Sequence, residues 1–140
     1  MKITLTIISL LFFNLKTFSQ KEIVYQAIKM IKLDEKNKEK SLTKLEKKAV
    51  EKTIKELKFY VTEFEKEAFV KTSPNSKNSL RLKKISSFIN TREYILNEKY
   101  ISWKIKITSY PISNELRVEV KNLSKDSKEK GTGIITAKEI

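Results

Sequence analysis

The chain has 140 residues, of which 30 are lysine or arginine and 17 aspartate or glutamate; its formal net charge is +13, and it contains neither histidine nor cysteine. Those absences exclude Ser-His-Asp triads, cysteine nucleophiles, histidine bases, ordinary zinc sites and any disulfide. With only two glycines, and no Walker, G-x-G-x-x-G or EF-hand spacing, a phosphate-cradling loop cannot be built in the usual way.

The N-terminus reads as a cleavable export signal. Lys2 is followed by an uncharged apolar run over residues 3–13, and Asn14 and Lys16 end it. That is too short to remain as a membrane anchor, which needs about 20 apolar residues. Thr17 and Ser19 place small residues at the minus-three and minus-one positions, so cleavage is expected between Ser19 and Gln20. Processing would leave 121 residues with a net charge of +11, one domain stabilised by packing alone. The expected destination is the periplasm or the medium, with no membrane span after processing. The missing cysteine also rules out lipid attachment behind the signal.

Only Arg81, Arg92 and Arg117 are arginines, and the chain is rich in lysine, isoleucine and asparagine, as an AT-rich genome would make it. A reader of nucleic-acid sequence would be expected to use more arginine, whose planar fork matches phosphates and guanine edges. Specific nucleic-acid binding is therefore not expected.

Past the signal, Ile23, Ala27, Met30 and Ile31 are spaced by three and four, which predicts a short amphipathic helix over 21–33. Residues 34–40 (DEKNKEK) form a charged break. Ser41 is then the expected N-cap of a long helix over 42–69, although Lys44 is a poor capping-box partner. Val50, Ile54, Leu57, Val61, Phe64 and Ala68 would make its apolar stripe. Fewer than three heptads hold that register, and Phe59 and Tyr60 widen the face. Packing on a sheet is thus favoured over a coiled coil. On such a helix Glu63 and Glu67 would share a face, most simply a solvated edge.

Residues 73–76 (SPNS) break the helical pattern. The segment 79–89 fits either a helix or a strand, and 92–99 leads into or forms a strand. Ile101, Trp103, Ile105 and Ile107 alternate with polar residues, as do Leu116, Val118 and Val120. With a turn at 110–114 between them, these predict an antiparallel hairpin with one apolar face, on which Trp103 is a core residue. Residues 124–130 read as a solvated loop, and 134–137 as a last strand. The expected fold is α+β: a short N-terminal helix and one long amphipathic helix packed on a small antiparallel sheet of three to four strands.

No catalytic, cofactor-binding or metal-binding residue emerges. Ser86 and Ser87 near Lys83 and Lys84 match a serine-lysine dyad in composition only. The functional reading is a small exported, non-enzymatic binding domain of a bacterial cell envelope. Its partner would be a protein or an anionic envelope component, met by a basic sheet face of Lys104, Lys106, Arg117 and Lys121. The alternatives are a carboxylate-based hydrolase of an envelope glycan and a protein that self-associates through its helix.

Overall fold

A computed structural model describes residues 21–124 and 131–140. The signal, with its junction at Ser19 and Gln20, and nearly all of the loop expected over 124–130 lie outside the described residues. Eight strands run in chain order: β1 (Glu22–Leu33), β2 (Lys58–Glu63), β3 (Glu67–Lys71), β4 (Leu80–Phe88), β5 (Thr91–Glu98), β6 (Ile101–Tyr110), β7 (Glu115–Asn122) and β8 (Thr132–Glu139). Each pairs antiparallel with the next, and β8 returns to β1, so the sheet closes into a barrel. One helix, α1 (Lys44–Glu56), is inserted between β1 and β2.

The α+β expectation is therefore corrected: the fold is an up-and-down β-barrel, and neither the first helix nor most of the second exists. In β1 the misleading spacing has a specific source. Ile23 and Ala27 face inward in strand register, and the pairing with β8 then slips at a bulge between Ala27 and Lys29. The extra residue, Ile28, brings Met30 back to the inner face opposite Ile135. Two strand steps followed by a bulge reproduce the four-then-three spacing of a helix. A second bulge, between Lys84 and Ser86, explains in the same way why 79–89 fitted both periods; the segment is β4.

The long helix is cut at Leu57, its C-cap, which has extended torsions. Beyond it the run Lys58–Glu63 is aromatic and β-branched, the composition of a strand. Val61 and Ala68 lie seven residues apart and so suited a helix stripe, but they project inward from two paired strands, β2 and β3. The N-cap is Thr43, not Ser41. Its hydroxyl accepts from the Glu46 N–H, and the Glu46 carboxylate accepts from the Thr43 N–H at 2.8 Å. That backbone hydrogen bond holds the Glu46 carboxyl below its usual range. The helix packs chiefly on β1 and buries none of its residues fully. Gln26 anchors it by donating to the carbonyls of Ile54 and Leu57, at 2.8 and 3.0 Å.

The strands with clean alternation behave as read. β6 and β7 form the predicted hairpin, with Ile105 opposite Val120 and Ile107 opposite Val118. Their apolar residues, Leu116 among them, enter the barrel alongside Leu82 of β4 and Tyr94 and Leu96 of β5. Charged residues such as Lys104, Lys106 and Glu119 occupy the outer wall. This is the inverse of a barrel that spans a bilayer, whose outer band is apolar.

Candidate functional site

Eight strands enclose an interior just wide enough to be filled by side chains or to hold one small ligand. Here the interior residues are small at several levels. Ala27, Ala68 and Ala137 are at most 2% exposed, and Val61, Val70, Val118 and Val120 supply further short side chains. Ala137 and the four valines border a cavity of about 330 Å³. Its wall is aliphatic and aromatic, including Phe59, Leu80, Trp103 and Ile135. Trp103 is thus inward-facing, as its alternation implied, but it lines a space.

A second volume, about 410 Å³, lies at the end of the barrel where β2 meets β3 and β4 meets β5. It shares Tyr25, Val61, Ile107 and Leu116 with the apolar cavity, so the two meet at that level. Its own wall adds the charged residues Lys21, Glu63, Glu65, Lys84 and Arg92 to the apolar Ile23 and Phe64. It forms the mouth.

The mouth is built around one carboxylate. Glu63 Oε1 accepts from Arg92 Nε at 2.9 Å and from the Tyr94 hydroxyl at 2.9 Å, and Arg92 Nη2 lies 2.8 Å from it. Arg92 Nη1 also donates to the Ser109 hydroxyl at 2.7 Å and to the Asn90 carbonyl at 3.2 Å. This network ties β2, β5 and β6 together at one end. Burial opposes the Arg92 charge, but Glu63 outweighs it and the guanidinium is held still more firmly protonated. Burial, reinforced by Glu63, pushes the Tyr94 hydroxyl far above its ordinary range. Tyr25 is raised in the same way, by burial first and by Glu139 and Glu63 next. Both phenols are neutral at any physiological pH.

Lys84 is different. Its ammonium donates to the Phe64 carbonyl at 3.3 Å and stands 5.8 Å from the centre of the Tyr94 ring. Among the described residues no carboxylate lies within ion-pair distance of it. An ammonium has three donors, so this cation keeps hydrogen-bonding capacity at the mouth.

The structure brings the four residues of the expected basic face together on the outer wall of β6 and β7. Lys104 is opposite Lys121, and Arg117 is two positions along β7 from Glu119. Three of the four are drawn to carboxylates: Lys104 to Glu93 at 3.6 Å, Lys106 to Glu119 at 3.9 Å and Arg117 to Glu119 at 3.5 Å. Glu63 and Glu67, placed on one face by the helical reading, are parted by the β2–β3 hairpin. Glu63 enters the mouth, whereas Glu67 binds Arg81 on the outside at 2.6 Å. Lys71, at the other end of β3, pairs with Glu22 of β1 at 3.3 Å. Ser86 of the apparent dyad donates to Glu93, not to a lysine.

Sequence reasoning missed the mouth. Glu63 lies 29 and 31 residues before Arg92 and Tyr94 in the chain, and only the inward alternation of Arg92, Tyr94 and Leu96 hinted that an arginine entered the core. No family model, curated protein or solved structure matches the chain.

Proposed function

We propose that this is an exported, non-enzymatic binding protein whose ligand is a small amphipathic molecule, with an apolar body inside the barrel and an anionic head at Lys84. The observation that carries this reading is the 330 Å³ apolar cavity. An apolar wall with no packing partner forfeits dispersion contacts along every side chain that lines it. Side chains one size larger at Ala137 and the lining valines would recover those contacts, so the space is better accounted for by an occupant. The mouth supplies the polar end. Glu63 and Arg92 satisfy one another, while the Lys84 ammonium retains donors for a carboxylate or phosphate.

Trp103 is the sole tryptophan and lines the cavity, so it reports on occupancy. Titration of the 20–140 protein with a medium-chain fatty acid is expected to change its emission saturably. Val118→Phe, which fills the cavity, should abolish the change, and Lys84→Met should weaken the acid while sparing the matching alcohol. A native protein whose Trp103 emission ignores both compounds would refute the reading. The basic outer wall carries less weight as a binding face, since three of its four cations already face carboxylates.

A further inference from the structure

The mouth is bordered by two hairpin tips of unusual composition. Residues 86–91 (SSFINT) and 108–114 (TSYPISN) contain no charged residue, in a chain of which 34% is charged. The tips are neighbours: Thr91 pairs with Thr108, and the Ser109 N–H donates to the Asn90 carbonyl at 2.8 Å. From them Phe88, Ile89 and Ile112 project 76%, 80% and 104% exposed, with Tyr110 half-exposed beside them.

The backbone at one tip is also set against local preference. Ile89 has φ 52°, at the first central position of a two-residue hairpin turn. Glycine or asparagine is at ease there and a β-branched residue is strained. The fold thus holds an isoleucine in water on a strained turn, where a polar residue would relieve both penalties. Scattered exposed apolar residues need no explanation, but a contiguous, charge-free cluster at a cavity mouth does.

We infer that this rim docks on a lipid bilayer containing anionic lipids, with Phe88, Ile89, Tyr110 and Ile112 entering the interface. Three observations select a bilayer. Aromatic and aliphatic side chains on adjacent loop tips match the interfacial zone, where an apolar body and a polar end are both satisfied. The net charge of +11 expected after processing attracts the chain to an anionic surface over a Debye length, about 8–10 Å at physiological ionic strength. The same end opens into the apolar cavity, so docking sets that mouth against the layer from which an acyl chain would come. The docking itself rests on the rim residues and does not require the cavity to be filled.

Co-sedimentation of the 20–140 protein with vesicles of equal parts phosphatidylglycerol and phosphatidylcholine tests the inference. The native protein should partition to these vesicles and less to phosphatidylcholine alone, with added salt reducing the difference. Phe88→Ser combined with Ile112→Ser should lower partitioning at least about tenfold, since each burial of a large apolar side chain is a substantial share of interfacial affinity. Ile89→Asn, which suits the backbone better, should weaken docking while the protein folds at least as well, as reported by near-UV circular dichroism. Val118→Phe should dock normally, which separates failure of docking from failure of the cavity reading. Absence of the native protein from vesicle pellets would overturn the inference, as would tip variants that pellet as well as the native protein.

Discussion

Removing the carboxylate at the centre of the mouth gives the sharpest test of the packing argument. In Glu63→Ala, Tyr94, which is 0% exposed, loses the acceptor of its hydroxyl. Leaving a buried donor unsatisfied costs about 1–3 kcal/mol. Arg92, whose side chain is 14% exposed, loses its counter-ion. Breaking a fully buried pair costs about 3–5 kcal/mol, but Glu63 itself is 36% exposed, so solvent screening reduces this share to about 1 kcal/mol. The expected total is about 2–4 kcal/mol. Arg92→Met should cost less, because it leaves Glu63 partly hydrated and still hydrogen-bonded to Tyr94. The double variant should be less destabilised than the sum of the two, by a coupling of ~1–2 kcal/mol. Urea unfolding followed by Trp103 fluorescence measures all three, with the slopes compared to confirm that the denatured state is unchanged. A Glu63→Ala cost below about 1 kcal/mol, with coupling under ~0.5 kcal/mol, would reduce the cluster to an ordinary surface ion pair.

Three further outcomes follow from local geometry. Tyr94 and Tyr25 are raised above the ordinary tyrosine value of 10.0 in the folded protein, so their stabilisation is complete below that pH and is lost as pH rises beyond it toward the folded values. The alkaline fall should approach about 1.4 kcal/mol per pH unit for Tyr94, and Tyr94→Phe should flatten it in unfolding measured across that range. Gly131 has φ 118°, and a Cβ there would lie 2.3 Å from the Leu33 carbonyl oxygen, so Gly131→Ala should cost at least ~2 kcal/mol. Gly133→Ala, with nothing within 4 Å of the new atom, should stay within about 0.5 kcal/mol in the same urea assay. Exchanging Lys121 for glutamate on the outer wall should leave fatty-acid binding unchanged, since that residue faces Lys104 outside the barrel; impaired binding measured by Trp103 emission would move the site to the wall.

The elements legible in the chain were those whose register is unbroken. Along β6 and β7 every second residue is apolar from Trp103 to Ile107 and from Leu116 to Val120, so period, faces and partner could all be read there. The misread elements are those where a bulge or a hairpin shifts the phase. Ile28 in β1 and the irregularity between Lys84 and Ser86 in β4 each add a residue, and this turns a period of two into an apparent helical spacing. The boundary at Leu57 carries neither proline nor glycine, so nothing in the local composition ended the helix there. It ends because the Leu57 carbonyl accepts from the Ala27 N–H and the following residues pair with β1.

The sequence by itself determined what chemistry is missing, which strands of the second half carry an apolar face, and that charge lies on the opposite face. These follow from residue type and from the side-chain period of a strand, both local properties. Closure of β1 on β8 is a long-range pairing that no local period announces, and it alone decided that the apolar faces surround a cavity. It also placed Glu63, Arg92 and Tyr94 at one mouth, and set the two uncharged hairpin tips side by side at its edge. Distant residues meet there because every strand must satisfy its backbone hydrogen bonds on both sides, and a ring of eight is the arrangement in which all of them do.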